Sequence, residues 1–283
     1  NPSGLNILGY QKADEILGFE LSQISFEGPE NELKQTRITQ PAIFVHSVVV
    51  YSLLAEKQFY PDLVAGHSLG EYSALVAAGS LNFQSALKVV KLRAELMQQA
   101  GEQNPGTMAA ILGLSSNDLE SICKDAAEYG IVQPANYNSP LQIVISGSEE
   151  GVQKAMELAK ENGAKKVVSL VVSGAFHSPL MESAQNGLKE KLESTTFEKA
   201  KIPVYNNVTS KPVTEPDEIK DLLFKQLTFP VRWAESMQNM INDGAEKFYE
   251  AGPKNVLKGL MRSIDRKIPV ATIGTPEEIE SIE

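Results

Sequence analysis

The chain has 283 residues, 42% hydrophobic and 22% charged, a balance that excludes a disordered polypeptide and suffices for a sizeable core. With 26 Lys+Arg against 36 Asp+Glu the formal net charge is −10, which excludes a general nucleic-acid binder. The single cysteine, Cys123, allows no intrachain disulfide and fits a reducing, cytoplasmic compartment.

Length allows one large domain or two modest ones. No apolar run approaches the roughly 18 residues of a membrane span. The longest, Ile43 to Leu54, is broken by His46, Ser47 and Ser52. No signal peptide is visible, and a start at Asn1 instead of Met is expected of a processed, tagged or truncated chain.

Apolar runs alternate with helical patterns, as in an α/β protein. Pro41 to Leu54 reads as a buried helix and Asp62 to Ala65 as a short buried strand. Leu69 to Gly79 is an Ala-rich helix, and Asn82 caps a second one running to about Gln99. Gly101, Asn104, Pro105 and Gly106 then mark a break. Beyond it come strand Thr107–Leu114, helix Asn117–Tyr129, strands Ile131–Asn138 and Leu141–Ser146, helix Glu149–Glu161 and strand Lys165–Val172. That order, βαββαβ, predicts a ferredoxin-like small domain over 104–173, inserted into a discontinuous α/β domain of 1–103 and 174–283. The α/β pattern resumes with a helix from Pro179, strand Ile202–Asn206, a helix near 217–227 and helix Trp233–Asp243. Strand Lys247–Glu250, helix Lys254–Arg266 and strand Ile268–Thr272 close the chain.

Gly66-His67-Ser68-Leu69-Gly70 is a G-x-S-x-G sequence between a predicted strand and helix. A serine on such a tight turn sits strained with its hydroxyl exposed, and the two glycines are expected to remove clashes across the turn. The Leu69 N–H becomes an oxyanion donor. Ala74, Ala77 and Ala78 let the following helix pack closely. A bystander serine on a glycine turn is the alternative.

A serine nucleophile needs a base, and the chain has three histidines. His46 lies in an apolar helix and reads as a core histidine. His67 adjoins the serine, so its ring diverges from the hydroxyl and supports the turn. His177 precedes Ser178-Pro179, a natural N-cap and first helical residue, and a helix N-terminus there disfavours imidazolium. His177 is therefore the candidate base.

On the Asn82 helix, Lys88, Lys91 and Glu95 cluster on the solvent side, but Arg93 projects into the apolar arc, with Val89 and Leu96 on one side and Ala86 and Met97 on the other. A guanidinium there requires an anion. Either it pairs with an Asp or Glu of the chain, or it binds a substrate carboxylate bidentately.

Gly66-His67-Ser68-Leu69-Gly70-Glu71-Tyr72 resembles the signature of the malonyl-CoA:acyl-carrier-protein transacylases. Similar stretches follow the family's order: Thr39-Gln40-Pro41-Ala42, Lys91-Leu92-Arg93, Asn136-Tyr137-Asn138-Ser139-Pro140, Gly174-Ala175-Phe176-His177-Ser178, Val204-Tyr205-Asn206-Asn207-Val208, Gln226-Leu227 with Pro230-Val231, and Glu250-Ala251-Gly252-Pro253. The resemblance implies an α/β-hydrolase-like domain with a parallel sheet, carrying a ferredoxin-like insert. It implies Ser68 as acylated nucleophile, His177 as base, Gln226 as the residue orienting that histidine, Leu69 as oxyanion donor and Arg93 as ligand of the malonyl carboxylate. Met97 and Phe176 would line the acyl site, with Asn136 and Asn138 near the pantetheine entrance. Gly174-Ala175-Phe176-His177 resembles the sequence that accompanies malonyl rather than methylmalonyl choice in related polyketide acyltransferase domains.

Two departures accompany the resemblance. The family opens with a strand and a Gly-Gln-Gly-Ser/Ala-Gln loop whose first Gln is the second oxyanion donor, and the sequence begins beyond it. Loss of one donor costs about 10²–10³ in rate, so reduced activity and an exposed sheet edge are expected. Lys254 follows Gly252-Pro253 where the family often has Gly.

The expected reaction moves malonyl from CoA to the phosphopantetheine thiol of acyl carrier protein, for fatty acid biosynthesis, through a malonyl-serine ester. No metal or other cofactor is expected, since three scattered histidines and one cysteine offer no ligand spacing. Lys254, Lys258, Arg262 and Arg266 recur every fourth residue and form either an ordinary solvated helix face or, with Lys165 and Lys166, a dock for the acidic carrier. A serine esterase or thioesterase would share the turn but leave Arg93 unexplained. A non-catalytic carrier-docking domain would have no physical need of Ser68, His177, Arg93 and Gln226 together.

Overall fold

The computed structural model describes residues 4–282, with side chains from residue 9 on. Asn1 to Ser3, where the sequence reading sets the start of the chain beyond the second oxyanion donor, lie outside the described residues. In chain order, α1 (Gly4–Leu17), α2 (Leu21–Glu27) and α3 (Glu30–Leu33) lead to α4 (Thr36–Glu56), then β1 (Val64–Ala65), α5 (Gly70–Ala77) and α6 (Phe83–Gln103). The small unit holds β2 (Thr107–Leu112), α7 (Ser116–Ala126), β3 (Val132–Ser139), β4 (Gln142–Gly147), α8 (Glu149–Glu161) and β5 (Lys166–Ser169). A 3₁₀ turn, Pro179–Met181, opens α9 (Glu182–Ser194), followed by β6 (Val204–Tyr205), β7 (Pro212–Val213), α10 (Pro216–Gln226) and α11 (Trp233–Asn242). The chain closes with β8 (Phe248–Ala251), α12 (Val256–Ile264), β9 (Val270–Ile273) and α13 (Pro276–Glu280).

This is a mixed α/β fold. β1 and β6 pair in parallel, with β7 antiparallel on the far side of β6, and β8 and β9 form a separate parallel pair. The parallel sheet expected from the sequence is thus present as short pieces, and most burial in this part is between helices. α6 shows why. Asn82 caps it by accepting from the Ser85 N–H at 2.8 Å, and its apolar stripe packs on α4 and α9. Leu87, Val89 and Val90 are fully buried there, each contributing about 1.5–3 kcal/mol. α4 begins at Thr36, with Pro41 inside it. An 18-residue window of α4 has mean hydropathy 1.5, so on length and composition it passes for a membrane span, against the sequence reading; that window is 61% buried, as in a core helix.

In the small unit the antiparallel order is β3-β4-β2-β5. Alternation separates its faces: Ala109 and Ile111 of β2 pack with Leu119 of α7 and Ala155 of α8, while Met108 and Ala110 face the other way, towards Phe176. β5 ends at Ser169, short of the predicted Val172, and Val171 is fully exposed. The chain enters and leaves this unit at one point. A Cβ on Gly101 would sit 2.1 Å from the Ser173 carbonyl oxygen, and the Ser173 hydroxyl is 2.5 Å from that of Thr36. β3 is the edge strand that faces the larger part: the Tyr137 N–H donates to the Val231 carbonyl at 2.9 Å, and Asn136 bridges Val231.

Candidate active site

Between β1 and α5 the chain turns at Ser68, whose φ is 51°. Gly66 is required there: a Cβ would lie 1.9 Å from the Gly70 carbonyl carbon. Gly70 is not, since a Cβ would meet nothing within 4 Å, which corrects the expectation that both glycines relieve a clash. Asn207 locks the turn from outside. Its Oδ1 accepts the Ser68 N–H at 2.6 Å and its Nδ2 donates to the Gly66 carbonyl at 2.7 Å. The next N–H, that of Leu69, has no acceptor among the described residues and adjoins the Ser68 hydroxyl.

His177 reaches the serine from the segment that leaves the small unit. Its Nε2 is 2.9 Å from Ser68 Oγ and its Nδ1 is 2.8 Å from the main-chain oxygen of Gln226. A carbonyl only accepts, so Nδ1 carries the proton and Nε2 is free to receive one from serine. The backbone at His177 has φ 57°, and Gln133 of β3 donates from Nε2 to its carbonyl at 2.9 Å. Burial, with Arg93's charge second, pushes the His177 imidazole down to about 3. The sequence reading attributed a neutral imidazole to a helix N-terminus; Ser178 caps the 3₁₀ turn that runs into α9, and burial is the largest cause of the lowered value.

Arg93 is 1% exposed, yet no carboxylate lies within ion-pair distance among the described residues. Its Nη1 donates to Gln40 Oε1 at 2.5 Å; its Nη2 donates to Ser68 Oγ and to Gln226 Oε1, each at 3.0 Å. The Tyr72 ring lies 5.6 Å from the guanidinium carbon, and Nε is unpartnered. A direct pair with Asp or Glu, one sequence alternative, is therefore not formed. Gln226 divides its contacts between main chain and side chain. Its main chain meets His177, while its side-chain Nε2 donates to Glu71 Oε2 at 2.8 Å and to the Ser68 carbonyl at 3.0 Å. Glu71 also accepts the Asn207 N–H at 3.1 Å, and burial pushes its carboxyl up to about 7.

Met97 touches Gln40, whose Nε2 lies 3.4 Å from its sulfur, and Phe176 is half-buried beside the small sheet. Asn138 Oδ1 is 2.8 Å from His67 Nε2, so the His67 ring turns away from Ser68, against Trp233. His46 is half-buried in α4, with its Nε2 out of solvent and unpartnered. Cys123 is buried in the small unit, which pushes its thiol up to about 12. Sequence reasoning gave no role to Glu71, Asn207 or Gln40, although all three stand inside the quoted motifs. Gln133 stands in none and carried no signal.

The basic stripe does not run along one helix. α12 spans Val256–Ile264, so it contains Lys258 and Arg262, but Lys254 precedes it at φ 69° and Arg266 comes after Asp265. The Glu250 carboxylate starts the helix late by accepting the N–H groups of Leu257 and Lys258, both at 2.8 Å. Arg262 and Arg266 instead face Lys165 and Lys166 across a groove of about 500 Å³ between α12 and the small sheet, which Lys254 and Lys258 do not line.

The Acyl transferase domain family matches residues 11–274. The malonyl CoA-acyl carrier protein transacylase of Bacillus subtilis (strain 168) is 45% identical over 272 residues, covering 96% of this chain and 86% of its own. Its counterpart in Escherichia coli (strain K12) is 40% identical over 268 residues, covering 94% and 87%. Among solved structures, an acyl carrier protein S-malonyltransferase from Vibrio cholerae superposes with a TM-score of 0.96 at 39% identity, over 100% of this chain and 92% of that one. A malonyl-transacylase solved in complex with its type II PKS acyl-carrier protein superposes with a TM-score of 0.95 at 38% identity, over 98% and 90%. With a serine, a histidine and a buried arginine meeting on one hydroxyl, and relatives of this name matching nearly end to end, the chain belongs to the malonyl-CoA:acyl-carrier-protein transacylases of the acyl transferase domain family.

Proposed function

We propose that this chain transfers malonyl from CoA to acyl carrier protein for fatty acid synthesis, in the cytoplasm, with Ser68 as nucleophile and His177 as base. The observation that carries this reading is the Ser68 hydroxyl, which meets His177 Nε2 at 2.9 Å and Arg93 Nη2 at 3.0 Å. Ser68 Oγ attacks the thioester carbonyl as His177 takes its proton. The Leu69 N–H receives the developing oxyanion. Collapse expels CoA, whose sulfur takes the proton back from His177, and leaves a malonyl-serine ester. The carrier's phosphopantetheine thiol then attacks that ester, His177 accepts the thiol proton, and Ser68 leaves with it. Arg93 pairs with the malonyl carboxylate at the far end of the acyl group. No cofactor takes part: Ser68, His177 and the two thiols carry every acyl group and proton.

The discontinuous part, 1–103 and 174–283, is assigned an α/β-hydrolase-like fold, supported by the β1–Ser68–α5 turn. The 104–173 unit is assigned a ferredoxin-like fold, supported by the β3-β4-β2-β5 order with α7 and α8 on one face. Asn136 and Asn138, on the β3 edge beside the turn, are assigned to the pantetheine path, and Met97 and Phe176 to the acyl site. The groove bearing Lys165, Lys166, Arg262 and Arg266 is assigned to carrier docking. Intact-mass measurement after brief mixing with malonyl-CoA tests the reading. A malonyl adduct that is absent in Ser68→Ala and discharged by acyl carrier protein is expected; an adduct that survives in Ser68→Ala, or that only water discharges, sinks it.

A further inference from the structure

Arg93 and Glu71 are both buried, 1% and 2% exposed, and one side chain joins them. Gln226 accepts from Arg93 through Oε1 at 3.0 Å and donates to Glu71 through Nε2 at 2.8 Å. Its amide dipole thus lies between a cation and a carboxyl with its polarity matched to both. The Asn207 N–H is the second donor on the same Glu71 oxygen, at 3.1 Å. Neither the Ser68 hydroxyl nor the His177 ring touches the Glu71 carboxylate, and the proposed reaction gives that carboxylate no step.

We propose that Glu71 is the resident countercharge of Arg93, and that it takes up a proton when an acyl carboxylate pairs with Arg93. Above neutral pH the buried site then carries about one carboxylate charge whether empty or loaded. This inference rests on the reading of Arg93 as the ligand of the malonyl carboxylate.

The driving force is the cost of a second buried anion. Burial, the largest effect, favours the neutral acid; in the empty site the Gln226 and Asn207 donors, and after them Arg93's positive charge, favour ionised Glu71. The balance leaves its carboxyl at about 7, poised to change state near neutral pH. Once a malonate carboxylate lies on the guanidinium, the cation is neutralised and a second negative charge is near, so the neutral form of Glu71 wins. The other titratable groups around α5 do not substitute for it. Tyr72, next on α5, is pushed up to about 12 by burial. On α4, His46 turns to Gly274 and Tyr51 donates to the Ala77 carbonyl. Tyr205 of β6 donates to Asp243. On α6, Lys88 and Glu95 are exposed and Lys91 donates to the Leu17 carbonyl. His177 feels Arg93's charge as well, which makes it the competing proton acceptor that the test must separate.

The chemistry itself conserves protons. The Ser68 hydroxyl proton leaves on CoA, a thiol with a pKa of about 8.5 and therefore mostly protonated at pH 7. Any net uptake on acylation near neutral pH belongs to the protein.

The experiment mixes the protein with malonyl-CoA in weakly buffered solution containing a pH indicator, with intact mass read in parallel and CoA alone as the blank. After the proton given up by the released CoA thiol is subtracted, as read with acetyl-CoA at the same pH, the expected uptake is about half a proton per malonyl-serine at pH 7, rising towards one at pH 8, given a carboxyl at about 7 in the empty site. Acetyl-CoA forms its adduct without uptake, releasing only the thiol protons that freed CoA loses towards pH 8. At a fixed ratio of malonyl-CoA to CoA, adduct yield falls by up to about tenfold per pH unit above 7. Glu71→Gln keeps an oxygen acceptor for both donors, and forms the adduct with no uptake and a flat pH dependence.

A malonyl adduct formed with no proton uptake overturns the inference and leaves the Arg93 reading standing. So does uptake that persists undiminished in Glu71→Gln, which assigns the proton to His177. If Glu71→Gln does not fold, equal uptake with acetyl-CoA and malonyl-CoA overturns it in the unmodified protein. If Arg93→Ala takes malonyl as readily as the parent, the Arg93 reading fails, and this inference with it.

Discussion

The main-chain carbonyl of Gln226 stands 2.8 Å from His177 Nδ1, so a peptide group orients the imidazole where serine hydrolases commonly place a carboxylate. A carbonyl fixes the tautomer as well as a carboxylate does, but supplies no negative charge to stabilise imidazolium. Burial and the neighbouring Arg93 then keep His177 neutral in the resting site. The Gln226 side chain is left free to join Arg93 to Glu71.

The division between main chain and side chain makes Gln226→Ala informative. The carbonyl on His177 survives, while Arg93 loses an acceptor and Glu71 a donor. Leaving buried polar groups unpaired costs about 1–3 kcal/mol, so kcat/KM for malonyl-CoA is expected to fall roughly tenfold. Steady-state kinetics beside His177→Ala check this: an equally deep loss in both variants would mean that the side chain, not the peptide, holds the histidine.

Arg93→Ala removes the one charge that touches Ser68 among the described residues. Hydrogen bonds to charged groups are worth about 1.5–3 kcal/mol, so the preference for malonyl over acetyl transfer is expected to shrink by about 10–100-fold. Competition between the two CoA esters reads it directly. A uniform loss for both would assign Arg93 to holding the serine alone.

The two glycines of the turn should respond in opposite ways. Gly66→Ala drives a Cβ to 1.9 Å from the Gly70 backbone and is expected to abolish acylation and lower the melting temperature. Gly70→Ala meets open space and is expected to fold with an unchanged melting temperature. Thermal melts and adduct yields of the pair decide it.

Acid should destabilise the protein partly through His177. Its folded value of about 3 lies below the ordinary 6.5, so between them the unfolded chain binds the extra proton. Stability from this group is therefore complete above 6.5 and is lost as pH falls. Glu71 works in the opposite sense: raised from 4.5 to about 7, it makes stability fall as pH rises through that window. Melting temperature against pH should be flatter on the acid side in His177→Asn and show a smaller decline towards pH 7 in Glu71→Gln.

Charge reversal separates the basic groove from the rest of the predicted stripe. Lys165→Glu with Arg262→Glu alters two groove residues and is expected to raise the carrier's KM about tenfold, in a salt-dependent way, with CoA-side kinetics unchanged. Lys254→Glu with Lys258→Glu lies outside the groove and should leave the carrier's KM near the parent value. Equal effects of the two pairs would remove the groove from carrier docking.

Much of this molecule is written locally. The Gly66–Gly70 spacing, the Asn82 cap, the alternation along β2 and the burial of Arg93 arise from rules that act over a few residues, and each is legible in the sequence. The family motifs named Ser68, His177, Arg93 and Gln226. Element ends were less legible: α12 is shorter than its charge pattern because the Glu250 carboxylate and Asp265 set its limits.

How these residues meet is a matter of the closed fold. Asn207 lies 139 positions from Ser68, Gln226 lies 155 from Glu71, and Gln133 lies 44 from His177. No periodicity spans such separations. A buried polar group must find a partner wherever the fold brings one, so which amide faces the guanidinium, and which carboxyl stands behind it, is settled only when the core closes. The order of residues supplied the chemistry available, and the closing of helices and sheets around Arg93 chose its partners.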